Sequence, residues 1–439
     1  MGAKKTIKPI ARLVSHSKEM NYEIFNNNVD FVMLKKKNDV NSEELITIIP
    51  IDVGGNKENG IVCKIEKQHD DSPYTVKPFV FRSFHDNLFL INDKLLRKGQ
   101  RIILQNKDRI KIVKNINNFI EFHDLRTLIK TKFPQNLMKD YFVEKLLGDG
   151  PNGRAYFVHN VRTLERLALK RVKKFEEDPP NDLAFEAKIM NNLNHPNIVK
   201  LLHVHDELRE TFLFTEYMNF RDILNLITSK TNVRLEENEA RVCFYQVTQG
   251  LKYLHQLNIC HRDIKCDNIF VHKENDNYIC KIGDFGLSAY DKDLTQTCGT
   301  LLYSPPEMFY KNQVYKGTKA DIWSFGVVLF CMISGKFPFH KSFESYGTVE
   351  EQIKGGIIRF RCDEIWNDIS YECKHLICCM MNVNPLCRYD IHEIEKHPWV
   401  KNHVKLHNVR KRSLDVTLLK NVKCIQNFVA KKPKISMLT

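Results

Sequence analysis

The chain has 439 residues, 43% hydrophobic and 27% charged, an ordinary balance for globular protein and more length than one ordinary domain takes. Lysine and arginine outnumber aspartate and glutamate 67 to 53, a formal net charge of +14 that suits an acidic partner but serves equally as a solvated surface. No zinc-finger or RNP motif accompanies the charge, so nucleic acid is set aside as a partner, and no run of about 18 apolar residues is read, so no membrane span is expected.

The chain opens MGAKKTIKPI, with no apolar signal core, and fits the loose myristoylation pattern through Gly2 and Thr6. Thirteen cysteines without one CxxC pair read as reduced thiols packed as small hydrophobes. Residues 45–122 hold short β-branched or aromatic runs, LITIIPI, NGIVCKIE, FVFRSF, LFLIND, QRIILQ and DRIKIVK, broken by Gly, Asn, Asp or Pro. They predict a small all-β sandwich, assigned to residues 23–125. Residues 126–140, around TKFPQNLMKD, read as a linker, and YFVEKLLGDG starts a new strand-like run. Beyond residue 220 helical spacing dominates, as in ARVCFYQVTQGLKYLHQL, and residues 400–439 form a basic tail sparse in core residues. The fold class expected is α+β.

Chemistry concentrates in the middle of the chain. Gly148, Gly150 and Gly153 form GxGxxG, a spacing that also serves dinucleotide-binding turns. In either use, glycine lets backbone approach phosphate closely. The next segment separates the two, because Lys170 comes 17 residues after Gly153 on a second strand-like run, where a dinucleotide fold has a helix. Glu186 lies on the amphipathic stretch FEAKIMNNLNHPNIVKL, suitably placed to pair with Lys170. In HRDIKCDN, Asp263 is an acceptor for a hydroxyl proton, Lys265 a nearby cation and Asn268 a neutral oxygen ligand for Mg²⁺. Asp284, 16 residues later in KIGDFG, is a hard carboxylate for the same metal. Each piece alone arises by chance; their order and spacing together do not.

Over Tyr141 to Trp399 the chain resembles the eukaryotic protein kinases, which implies a bilobal kinase domain at 141–399 using ATP and Mg²⁺ to phosphorylate protein substrates. Further marks are CGTLLYSPPE ending at Glu307, DIWSFG from Asp321 and Arg388 before HPW. Glu307 and Arg388 resemble the family's buried ion pair, and Lys265 with Thr300 the serine/threonine set. The resemblance implies that ATP lies between lobes against Leu147, Gly148, Asp149, Gly150, Pro151, Asn152, Gly153, Ala155, Ala168, Lys170, Glu186, Glu216, Met218 and Phe270. It makes Asp263 and Lys265 catalytic, Asn268 and Asp284 metal ligands, and Thr215 the residue controlling the back pocket. Asp222 and Asp267 then point to basic residues before the target, and Arg262 to an activation loop switched at Thr295 or Thr297. Cys266 and Phe270 replace the family's usual proline and leucine, without removing a group that phosphoryl transfer needs. A scaffold of kinase fold without useful turnover is the alternative; it would be favoured by a missing catalytic residue, and none is missing.

Upstream, DNLFLINDKLLRKGQRIILQNKDRIKI resembles the second half of a forkhead-associated domain, with Asn87, Asn92 and Asp108 on matching positions. Such a sandwich before a kinase is the layout of the checkpoint kinase 2 family. It implies a phosphoprotein partner, DNA-damage or cell-cycle signalling, a second copy of the chain as a further partner, and the nucleus ahead of the cytoplasm. The family's phosphate-binding arginine is absent, the place reading Gly54-Gly55, and Asn59-Gly60-Ile61-Val62 stands for its Ser-x-x-His. Losing that charge-assisted donor weighs against phosphothreonine binding of the family's kind.

Overall fold

A computed structural model describes the strands at 11–15, 21–24, 30–35, 46–51 and 61–67, and residues 78–401 except 85, 87, 114, 125–132, 151–152, 175–184, 276, 293, 297, 311–312, 341–346 and 361–363. The chain divides into two compact units, Met1–Asn194 with Val199–Met218, and His195–Ile198 with Asn219–Thr439.

The first unit begins with eleven strands: β1 (Ala11–Ser15), β2 (Asn21–Ile24), β3 (Asp30–Lys35), β4 (Ile46–Ile51), β5 (Ile61–Lys67), β6 (Phe79–Ser83), β7 (Phe89–Ile91), β8 (Lys94–Leu95), β9 (Arg101–Leu104), β10 (Asp108–Ile112) and β11 (Asn115–Asp124). They form a six-stranded sheet, β2-β1-β11-β10-β7-β8, and a five-stranded sheet, β4-β3-β5-β6-β9. Leu13, Ile110 and Phe122 of one meet Cys63, Phe79 and Phe81 of the other in a common core, so the expected sandwich forms. It starts ahead of the expected residue 23, because β1 pairs along β11 from Ala11 opposite Asp124 and buries Leu13 completely. Five residues carry too little pattern to be seen without their partner strand. Asn92 and Asp93 both adopt positive φ, the tight turn that joins β7 to β8.

The same unit continues through a helix, α1 (Gln135–Asp140), and the strands β12 (Tyr141–Gly150), β13 (Gly153–Asn160), β14 (Arg166–Lys173), β15 (Leu201–Asp206) and β16 (Glu210–Glu216), with α2 (Phe185–Asn191) before β15. The sheet is antiparallel in the order β12-β13-β14-β16-β15. Residues 133–140 of the expected linker belong to its core. Phe133 stands edge-on to Tyr156 and Phe212 at 5.0 and 5.7 Å, and α1 buries Leu137.

The second unit is mainly helical: α3 (Ile223–Thr228), α4 (Glu237–Gln256), α5 (Gly317–Ser334), α6 (Val349–Gly355), α7 (Glu364–Asn367), α8 (Tyr371–Met380) and α9 (Ile391–Lys396). Between α4 and α5 lie the hairpin of β18 (Ile269–Glu274) and β19 (Asn277–Ile282), and a two-stranded ribbon of β17 (Ile259–Cys260) with β20 (Ala289–Tyr290). Phe244 of α4 stacks on Phe325 of α5 at 4.1 Å, with Trp399 edge-on to Phe244 at 5.4 Å. By length and composition α5 is apolar enough to cross a bilayer, more than the sequence led us to expect, but 89% of it is buried inside the protein. Most of the described cysteines are buried, and no disulfide joins any two of them.

Candidate active site

In the first unit the phosphate-binding candidates lie on the β12–β13 hairpin and its neighbour. A methyl added at Gly148 or Gly150 would meet open space, whereas Gly153 has φ +124 and a methyl there would collide with the Arg171 carbonyl oxygen. Only glycine satisfies that conformation and that approach. Leu147 is half-buried, and exposed Asp149 pairs with Arg154 at 3.0 Å. Pro151 and Asn152 lie outside the described residues. Ala155 stands opposite Gly148 on one side and Lys170 on the other, and Ala168 opposite Thr215. Glu216 accepts from Lys200 N–H at 2.8 Å, and Met218 is buried.

Lys170 Nζ donates to both oxygens of Glu186 at 2.7 Å, joining β14 to α2. The Glu186 side chain is 5% exposed and that of Lys170 20%, so the carboxylate is committed to holding an ammonium that still reaches solvent. The pair expected from sequence is therefore formed.

In the second unit Asp263 is 6% exposed and both of its carboxylate oxygens accept hydrogen bonds. Oδ2 accepts from Lys265 Nζ at 2.7 Å and Asn268 Nδ2 at 3.0 Å, and Oδ1 from Thr300 Oγ1 at 3.0 Å. Asn268 Nδ2 also donates to the Asp263 carbonyl at 2.9 Å, closing the loop on itself. Gly299 at φ +92 lets Thr300 approach, since a side chain there would meet the Arg262 carbonyl at 2.6 Å. Asp284, half-buried at φ +61, follows Gly283, whose N–H donates to the Asn268 carbonyl at 3.0 Å. Phe270 is half-buried on β18 opposite Asp222.

Two residues that hold this loop were given no role from sequence. Asp321, fully buried on α5, accepts from His261 N–H and Arg262 N–H at 2.8 Å each and lies 3.0 Å from His255 Nε2. Its oxygens steady Arg262, which sits at φ +64. His261 bridges in turn to the Gly283 carbonyl at 3.0 Å. The motif DIWSFG marked Asp321, but its partners lie about sixty residues away in sequence.

Asp222 also serves the fold. It is 8% exposed and its Oδ1 accepts from Asn225 N–H at 2.7 Å, capping α3. Burial raises its carboxyl above the usual range, and the charge of Asp267 adds to the rise. Asp267 is the exposed member of the two. Thr295 is exposed, and Thr297 and Asn87 lie outside the described residues.

The donor set fits Mg²⁺. No group of three or more His, Cys, Asp or Glu stands ready for a metal among the described residues. One carboxylate (Asp284) and one amide oxygen (Asn268), completed by water and phosphate, is the partial shell this hard, strongly hydrated ion accepts.

A buried carboxylate held by three donors in one unit, and a clamped ammonium with a glycine-permissive hairpin in the other, are groups of the kind a protein kinase uses. In agreement, the family model described as protein kinase domain matches residues 141–400, more than half of the chain. Among relatives, the Ovarian-specific serine/threonine-protein kinase Lok of Drosophila melanogaster is 32% identical over 339 residues, covering 74% of this chain and 70% of its own length. The Probable serine/threonine-protein kinase fhkE of Dictyostelium discoideum is 30% identical over 79% of this chain and 50% of its own. The Serine/threonine-protein kinase DCLK1 of Rattus norvegicus is 32% identical, with 62% of each chain covered. The chain thus spans most of the first relative and about half of the second. It belongs to the protein kinase family, among the serine/threonine kinases.

Proposed function

We propose that the chain transfers the γ-phosphoryl group of ATP to serine or threonine hydroxyls of proteins through Asp263, Lys265, Asn268, Asp284, Lys170 and Glu186. The observation that carries the reading is the Asp263 carboxylate, held by Asn268, Lys265 and Thr300. An acceptor fixed by three donors needs no reorganisation when the substrate arrives. The substrate hydroxyl oxygen bonds to phosphorus as the bond to ADP breaks, and its proton passes to Asp263. Lys265 offsets charge on the moving phosphoryl, and Lys170, held by Glu186, does so for the phosphates of the nucleotide. Mg²⁺, held by Asp284 and the Asn268 oxygen when bound, supplies neutralisation of phosphate charge. Asp263→Ala should lower turnover by about 10² to 10⁴ while leaving ATP binding in place. The check is a radiolabelled-ATP assay on a peptide library with wild type, Asp263→Ala and Asp284→Asn; wild-type turnover in either variant would overturn the assignment.

The sandwich we read as a forkhead-associated-like module that docks on a phosphoprotein, in checkpoint or cell-cycle signalling and in the nucleus. Two matching positions support it. Asn92 Nδ2 donates to Asp108 Oδ1 at 2.6 Å, and Arg109 N–H to Asn92 Oδ1 at 2.9 Å, tying the β7–β8 turn to β10. Lok also aligns over more of the chain than the kinase domain alone. The Gly54-Gly55 region lies outside the described residues. Equal affinity of the full chain for a phosphothreonine peptide and its unphosphorylated twin would refute the docking role.

A further inference from the structure

A continuous set of contacts runs from the outer face of the sandwich to the row of the kinase sheet that carries Ala155 and Lys170, all of it inside the first unit. Val80 and Ile103, opposite each other on β6 and β9, pack against Phe142 and Val161, none more than 6% exposed. Ile103 N–H donates to the Val161 carbonyl at 2.9 Å, so the turn after β13 covers the edge strand of the sandwich. Phe142 stands opposite His159 in the β12–β13 ladder. That ladder slips between Val143 and Lys145, which leaves Glu144 in a bulge, fully buried and 2.6 Å from His159 Nε2. His159 lies 4.8 Å from the Phe157 ring, and Phe157 stacks on Tyr217 at 4.0 Å. Phe157 faces Ala168, which faces Thr215, in the row beside Ala155 and Lys170.

A buried carboxylate–imidazole pair is a costly way to fill a hairpin, since apolar side chains of similar volume often stabilise as well or better. Its place between the docked sandwich and the row holding Ala155 and Lys170 gives it another use. We propose that Glu144 and His159 are positioning residues for the nucleotide. The pair fixes the register of β12 on β13, hence the aim of Gly148, Gly150 and Gly153, and makes that aim depend on the sandwich seated at Val80 and Ile103. The inference rests on the kinase reading, but its test needs no turnover.

The full chain is titrated with Mg²⁺–ATP by calorimetry, with KM, kcat and melting temperature measured alongside. Two variants act at opposite ends: Glu144→Leu with His159→Leu keeps the volume and removes the pair, and Val80→Ala with Ile103→Ala loosens the sandwich. Each should raise the ATP Kd and KM about fivefold or more with kcat nearly unchanged. Combining all four should cost less than the product, because both ends act on one hairpin. Glu144→Gln, which keeps a hydrogen bond, should recover most of the affinity. An ATP Kd within twofold of wild type in either double variant overturns the proposal, whatever happens to melting. Should the pair variant fail to fold, His159→Gln replaces it, and wild-type affinity in a His159→Gln chain that melts lower reduces the pair to packing; should the sandwich variant fail to fold, Val80→Ala alone replaces it. Absence of ATP binding by wild type would instead remove the kinase reading.

Discussion

Arg388→Met should unfold the second unit far more readily than its single position suggests. Arg388 is 1% exposed and grips Glu307, 4% exposed, through Nη1 and Nη2 at 2.6 and 2.8 Å. Its remaining donors reach the Lys319 carbonyl at 2.8 Å and the Asn382 carbonyl at 2.9 Å, and its guanidinium lies 5.1 Å over the Trp323 ring. Methionine replaces the volume, so little of the cost is cavity. What remains is a buried carboxylate without its cation, about 3–5 kcal/mol, set against a typical domain stability of about 5–15 kcal/mol. Adding Glu307→Leu removes the stranded charge and leaves two carbonyls short of a donor, about 1 kcal/mol each, so the double variant should recover roughly half of the loss. All three tryptophans, Trp323, Trp366 and Trp399, belong to this unit, so urea unfolding followed by tryptophan fluorescence reads it selectively. An Arg388→Met midpoint equivalent to a loss under about 1 kcal/mol, or a double variant no more stable than the single, would refute the reasoning.

Three further outcomes are expected from the same geometry. Gly153→Ala should cost about 1–3 kcal/mol and weaken ATP binding, whereas Gly148→Ala and Gly150→Ala, with open space around each, should leave the melting temperature within a degree or two. Equal melting of the three variants would contradict this. Burial, aided by the charge of His375, lowers His397 from 6.5 to about 4, and the two rings share a hydrogen bond at 3.0 Å. The fold therefore prefers the neutral ring, so this contribution is complete above pH 6.5 and lost as pH falls toward 4. After allowance for solvent screening it is on the order of 2 kcal/mol. A His397→Gln chain should show a smaller loss across that window by denaturant unfolding, and identical losses in both chains would exclude His397. Thr215, small and opposite Ala168, should admit bulky ATP-competitive inhibitors; Thr215→Met should lower their potency at least tenfold, and equal potency would mean the space behind it is closed.

Much of the candidate site was legible from residues alone because its groups are local in sequence. Asp263, Lys265 and Asn268 lie within one short loop that closes on its own carbonyl and carboxylate, so spacing alone implies the geometry. Lys170 and Glu186 were readable for a related reason: a strand and the following helix bring them together across 16 residues. Glu307 with Arg388 is a contact across 81 residues and was legible only through the resemblance to kinases. Elsewhere, long-range pairing decided. Glu144 looks like any strand carboxylate until the β12–β13 ladder slips at Val143 and turns it into a buried partner of His159. That Asp222 caps α3 through Asn225 N–H shows only once the helix is formed. Ala11–Ser15 is too short to announce itself and becomes a strand only because β11, more than a hundred residues later, offers its edge. Residues 133–140 read as a linker because three apolar positions, Phe133, Leu137 and Met138, make too short a pattern, and Phe133 and Leu137 become core when Tyr156 and Phe212 close over them. Sequence determined which groups could do the chemistry; the registers and bulges set by distant strands decided which other groups hold them, because a single strand or short helix does not carry the identity of the surface it will meet.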